Sequence, residues 1–178
     1  SIRATDIAGF WNGALQRGGW WNTNAKAPSG SSKPPRLLEK AENPSFAGSK
    51  TEFPFHLTVY RSLALAEGQN AHLPWLQATP DPITTVVWQT WVEINTKTAE
   101  ELGLREGDIV NVESPAGSLQ VPVYPHPAVP PYMVAIPAGQ GHSVYGRYAK
   151  GRGANVFSIL ADVTDSQTGS LAWGATRV

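Results

Sequence analysis

The chain contains no cysteine. That excludes disulfides, a thiol nucleophile, and cysteine-ligated zinc or iron–sulfur clusters within these residues. Of the four histidines, His56, His72, His126 and His142, no two stand at metal-ligand spacing, so no metal site is expected. No haem-ligand pattern is evident. No Gly-x-Ser-x-Gly elbow occurs. Glu100 and Glu101 read as a solvated helix face, and Asp81 and Asp108, beside Pro and Gly, read as turn formers. No residue is expected to be catalytic. Lys plus Arg number 14 and Asp plus Glu number 14, so net charge is zero. An affinity built on phosphate neutralisation is therefore not expected, and nucleic acid is not an expected partner. A neutral chain fits better among protein partners. No apolar run approaches the ~18 residues of a membrane span. The longest, Tyr132 to Ile136, is strand-sized and walled by prolines. No secretory leader opens the chain, and its start at Ser1 reads as mid-chain text, so a piece of a longer polypeptide is expected.

What is present is aromatic, proline-rich and turn-rich, with seven Trp and 15 Pro. Residues 5–17 predict a short helix with Thr5 or Asp6 as cap and Ile7, Phe10, Trp11, Ala14 and Leu15 on one face. Gly18 and Gly19 stop it. From there to about residue 50 the chain is rich in Ser, Pro, Lys and Gly, an arm or linker laid over a partner, with Trp20 and Trp21 at its start. Strands are expected at 53–60, 84–94, 109–113, 118–124 and 132–136. One helix is expected at 96–102, capped by Asn95 or Thr96 and ended by Gly103. Gly107-Asp108 and Ser114 to Gly117 read as turns, and residues 125–131 as a rigid crossover. Of Trp88 and Trp91, strand alternation turns one inward. This is β-barrel texture rather than a parallel α/β sheet. Residues 1–52 form the N-terminal helix and arm, and 53–178 the barrel domain.

The residues most suited to a ligand run from Gly139 to Asn155. Gly139, Gly141, Gly146, Gly151 and Gly153 let backbone N–H groups approach a ligand. Arg147, Lys150 and Arg152 suit phosphate or carboxylate. Tyr145 and Tyr148 can stack on a planar ring, and Asn155 can pair with a base edge. Gln140 and His142 lie in the same loop. A pyrophosphate-bearing cofactor would use all three features. A surface loop whose glycines only permit turns, and an Arg/Gly/aromatic nucleic-acid segment, remain the other readings.

The stretch from Trp91 to Val123 resembles the molybdopterin-dinucleotide-binding domain of the dimethyl sulfoxide reductase superfamily. It shows a strand, a helix ending in Leu102-Gly103-Leu104, the Gly107-Asp108 turn and a hairpin with Ser114-Pro115 and Gly117. Val134 to Gly139 continues the likeness. The resemblance implies a double-psi β-barrel with a few short helices. In it Gly139, Gln140, Gly141, His142, Tyr145, Arg147, Arg152 and Asn155 would face the guanosine and pyrophosphate end of molybdopterin guanine dinucleotide, while the metal ligand comes from another domain. Three stretches, Leu63 to Pro82, Gly139 to Asn155 and Phe10 to Trp21, are similar to the B subunit of alternative complex III, with polysulfide-reductase-like catalytic subunits next.

The first likeness implies a scaffold with a vacant pocket in a membrane-associated, quinol-oxidising respiratory complex, on its periplasmic side. Its partners would be other domains of the polypeptide and other subunits. The second implies a cofactor-holding domain of a catalytic molybdenum oxidoreductase acting on polysulfide or thiosulfate. One departure bears on this choice. Where many members carry Leu-Thr-Gly-Arg, this chain has Leu57-Thr-Val-Tyr-Arg61, and Tyr60 would crowd a phosphate.

Overall fold

A computed structural model describes residues 5–26, 45–165 and 168–178. Most of the Ser/Pro/Lys/Gly-rich stretch, 27–44, lies outside the described residues. The chain divides into two compact units, Ser1–Ala41 and Glu42–Val178.

The first unit holds α1, Ile7–Gln16, as its sequence predicts. The Asp6 carboxylate accepts the Gly9 N–H at 2.6 Å, satisfying one donor of the open first turn. Gly18 and Gly19 then turn the chain with φ of +76° and +152°.

The second unit is mainly β. Its elements are β1 (His56–Arg61), α2 (Pro74–Gln77), β2 (Val92–Ile94), α3 (Thr96–Glu101), β3 (Ile109–Ser114), β4 (Gly117–Pro125), β5 (Met133–Ala138), α4 (Gly146–Ala149) and a 3-10 turn at Val156–Ile159. The strands form one mixed sheet in the order β1-β5-β2-β4-β3. β1 runs parallel to β5 and β2 parallel to β4, whereas β2–β5 and β3–β4 are antiparallel. In β1, Leu57 and Val59 alternate into the core; in β4, Leu119, Val121 and Val123 do so. β2 and most of β5 are buried on both faces, as central strands are. Val156 and Ile159 of the 3-10 turn join the same core.

The outer edge of β1 is not left open. Phe55 and Val178 exchange backbone hydrogen bonds at 2.8 and 3.0 Å, and Leu57 N–H donates to the Thr176 carbonyl at 3.0 Å. Ala47 in turn brackets this C-terminal segment, donating to Ala175 and accepting from Arg177. Phe46 packs edge-on against His56. So residues 46 and 47, expected to lie off the barrel with the rest of the arm, pack onto it. Composition could not show this, because the contacts run through backbone groups and a partner strand far along the chain.

The region 84–94 departs most from expectation. Only Val92–Ile94 is strand. The Asp81 carboxylate accepts from Ile83 N–H, Thr84 N–H and the Thr84 hydroxyl, so the chain turns there. Thr85 and Trp88 then take positive φ, near +58° and +59°, which breaks an extended run. Trp91 is buried and Trp88 half-buried, but position after a turn, not strand alternation, sets this.

α3 follows the sequence closely. The Asn95 side chain accepts from Lys97 and Thr98 N–H, and Gly103 takes φ +69°. Gly103 N–H reaches Glu100, and Leu104 N–H reaches Ala99 at 2.8 Å while its side chain meets the core. This closure uses a left-handed residue that a Cβ disfavours. Gly103→Val is expected to cost about 1–2 kcal/mol, read from urea unfolding, although nothing lies near the added Cβ. A cost near zero would show that strain at φ does not set this position.

Candidate functional site

Two features meet at the C-terminal ends of β1 and β5. One is a cavity of about 410 Å³. Its walls come from the turn after β1 (Leu63, Leu65), the end of β5 (Pro137, Ala138), and the segment before β2, which supplies Trp88 and Trp91. The other is a cationic, aromatic rim. The Arg152 guanidinium lies 5.4 Å over the Trp88 ring. Arg147 lies 4.6 Å over the Tyr148 ring and donates to its hydroxyl. Tyr148 is 6.5 Å from Trp88. Trp88 thus belongs to both features and joins them.

Both arginines are exposed, and no ion pair among the described residues engages either. Their guanidinium donors remain available to an incoming anion. A planar ring against Trp88 and Trp91, with its phosphates toward Arg147 and Arg152, is the ligand chemistry this arrangement suits.

The sequence-expected loop residues do not act as one group. Gln140 alone of the eight lines the cavity. It is buried and exchanges amide hydrogen bonds with Gln77 at 2.6 and 3.1 Å, while Gln77 also donates to Ala71 O at 2.9 Å. This closes the cavity wall. Gly139 and Gly141 serve close packing of the chain on itself. A Cβ on Gly139 would lie 2.9 Å from Leu65, and one on Gly141 only 2.1 Å from the Asn155 backbone nitrogen. The Gly141 N–H already donates to Arg152 O at 2.7 Å, and Gly151 N–H to His142 O at 2.9 Å. Gly146 and Gly151 share the positive φ but have nothing within 4 Å of an added Cβ. Backbone open to a ligand therefore lies beside Arg147, not at 139–141.

His142 and Tyr145 stack at 5.2 Å, and the Tyr145 hydroxyl donates to Gln69 O at 2.9 Å. They bind this loop to residues 68–72, where Gly68 makes room for the imidazole. Tyr145 holds φ +105°, a strained value for a side-chain-bearing residue. Asn155 caps the 3-10 turn by accepting from Phe157 N–H. Thr90 fixes the loop's far end, its hydroxyl donating to Ala154 O and accepting from Ala154 N–H.

Sequence reasoning missed Trp88, Gln77 and Thr90 as parts of this site. Residue type gave no signal for Gln77 or Thr90, since their roles depend on pairing 63 and 64 positions along the chain. Tyr60, expected to crowd a phosphate, is engaged in the sheet. Its hydroxyl donates to the Glu93 carboxylate at 2.5 Å, and it is not among the residues that wall the cavity.

Comparison with known proteins fits this architecture. Residues 67–173 match the family described as "Molydopterin dinucleotide binding domain". The chain is 36% identical over 140 residues to the arsenate respiratory reductase molybdopterin-containing subunit of Chrysiogenes arsenatis, covering 74% of this chain and 16% of that protein. It is 32% identical over 124 residues to a menaquinone reductase, molybdopterin-binding-like subunit, of Nitratidesulfovibrio vulgaris, covering 65% of this chain and 18% of that one. It thus spans less than a fifth of the length of these relatives. In fold it is similar to part of acetylene hydratase from Pelobacter acetylenicus, with a TM-score of 0.58 at 19% identity, covering 77% of this chain and 20% of that chain. The family match and the Chrysiogenes arsenatis relative together show that the chain belongs to the molybdopterin dinucleotide-binding domain family of the molybdopterin oxidoreductases.

Proposed function

We propose that this chain is the cofactor-holding domain of a molybdopterin oxidoreductase subunit working in membrane-associated respiratory electron transfer. The cavity and rim would hold the guanosine-pyrophosphate end of molybdopterin guanine dinucleotide. The observation that carries this is the exposed pair Arg147 and Arg152, Arg152 on Trp88 of the cavity wall and Arg147 on the neighbouring Tyr148, neither in an ion pair among the described residues. The residues fit such a group: apolar and indole walls for the base, guanidinium forks and the open backbone at Gly146 for the phosphates. When bound, the group supplies redox chemistry at its metal, whose ligand this domain does not provide. The residues here bind and orient. The names of the relatives, a respiratory reductase and a menaquinone reductase, support the respiratory setting and, with the quinone, a complex at a membrane. The parallel pairings β1–β5 and β2–β4 support a double-psi winding of the barrel.

A second reading is a scaffold whose pocket takes no cofactor, as in the B subunit of alternative complex III. It is favoured by the "molybdopterin-binding-like" relative and by the Gly141 and Gly151 N–H groups, already donated within the loop. The main sequence argument for it, a Tyr60 that crowds the phosphate, loses force once the hydroxyl is tied to Glu93.

Metal and nucleotide analysis of the intact subunit decides between them. Stoichiometric molybdenum or tungsten with guanine dinucleotide is the expected result, and a subunit isolated without either would sink the first reading. Arg147→Ala and Arg152→Ala are each expected to weaken retention by roughly 1–3 kcal/mol, the scale of a charge-assisted hydrogen bond. Equilibrium binding of guanosine diphosphate measures it, and unchanged affinity in both variants would remove the rim from the site.

A further inference from the structure

We infer that residues 7–21 dock into an apolar groove on another domain of the same oxidoreductase. On α1, Ile7, Trp11 and Leu15 recur every four residues and so share one face. They are 87%, 61% and 62% exposed, and Trp21 just beyond is 70% exposed. Only Ala14 of this helix is buried. A ten-residue helix has little stability of its own in water, so one that bares its apolar stripe gains order by covering it.

The composition of the stripe chooses the kind of partner. Residues 7–16 carry no charge at all, and the single carboxylate nearby, Asp6, is engaged as the helix cap. Helices that lie on lipid carry Lys and Arg along their polar face, which α1 lacks. Trp and Arg without Glu or Lys is instead the composition of a protein–protein hot spot. Beyond the helix, Arg17, Trp20, Trp21, Asn22 and Asn24 line a notch of about 390 Å³, able to take a protruding side chain. Arg17 at the rim of this notch is exposed, so its charge stays solvated beside the apolar contact. The relatives supply a source for the opposing surface. The chain spans only 16% and 18% of their lengths, so a protein of that size has other domains to offer. To that extent the inference rests on the proposed function.

The test uses the intact protein with a photoreactive benzophenone side chain at position 11, mapped by mass spectrometry. The expected adduct is with apolar residues of another domain. An adduct with phospholipid, with a second copy, or with residues 45–178, or no adduct at all, would overturn the inference. Amide exchange across residues 7–16 gives an independent reading. Leu15→Asp, and more mildly Leu15→Ala, should speed it roughly 10-fold or more in the intact protein, equivalent to a loss of about 1.4 kcal/mol of docking. Unchanged exchange would also overturn it. Cofactor content should stay at the parent level in both variants, so a failure here is distinguishable from a failure of the proposed function.

Discussion

Glu93→Ala is expected to destabilise the fold by about 3–5 kcal/mol, the scale for breaking a buried charged network. Glu93 sits in β2 at the centre of the sheet and is 7% exposed. Its carboxylate is tolerable there because three donors converge on it. The Tyr60 hydroxyl donates at 2.5 Å and the Trp91 indole N–H at 3.0 Å, both to Oε1; His126 Nδ1 stands 2.9 Å from Oε2. These donors come from β1, the approach to β2 and the crossover after β4. The carboxylate therefore pins three separate pieces of chain, one of which, at Trp91, walls the cavity. Alanine leaves all of them without an acceptor.

Glu93→Gln should cost less, roughly 1–2 kcal/mol, because the amide oxygen can still accept from Tyr60 and Trp91. Tyr60→Phe should cost a similar amount, since the carboxylate keeps two partners. The measurement is the urea midpoint at constant m. If Glu93→Ala costs under about 1 kcal/mol, the network is ornamental and this account fails. Burial first, then Glu93, raises the Tyr60 phenol above its usual range. The unfolded chain would release this proton near pH 10 while the folded one keeps it. The contribution of Tyr60 is therefore complete below about pH 10 and declines as pH rises beyond it. That alkaline decline should be weaker in Tyr60→Phe.

Gly141→Ala is expected to be the second most damaging change, at roughly 2–5 kcal/mol, adding left-handed strain to overpacking. The new Cβ would fall 2.1 Å from Asn155 N and 2.4 Å from Ala154 C. Neither is the end of a flexible side chain, so the whole return of the loop must move, and φ is +86° besides. Gly151→Ala is the control. It has φ +67° but open space, so only about 1–2 kcal/mol of backbone strain applies. Thermal unfolding should separate them, at roughly 2–4 °C per kcal/mol for a domain of this size. Equal midpoints for the two variants would mean that contact with Asn155 does not define the loop. Because Asn155 also caps the 3-10 turn that packs into the core, Gly141→Ala should loosen the core as well as the site.

Local chemistry was readable where one short segment contains its own cause. The capped helix at α1 is such a case, as are Asn95 and Gly103 around α3 and the β3–β4 hairpin. In each, cap, turn and alternating burial lie within a few residues of one another, so the sequence holds both the element and the reason for it. The same holds for the family, whose resemblance rests on that contiguous stretch from Trp91 to Val123.

The sequence also placed a cationic, aromatic loop at 139–155, but it could not sort that loop by role. Gly139 and Gly141 look like Gly146 and Gly151 as residue types. Only their neighbours in space make the first pair packing glycines and the second pair open ones. Tyr60 read as an obstacle to a ligand because its partner, Glu93, lies 33 residues away across β5. The expected strand at 84–94 failed for a related reason. Its Val, Thr and Trp favour an extended chain, yet the Asp81 turn and the joint demands of cavity wall and loop anchor give Thr85 and Trp88 positive φ. Propensity acts through a residue and its immediate neighbours, whereas cavity, rim and buried carboxylate are made by segments that meet only when the sheet has closed.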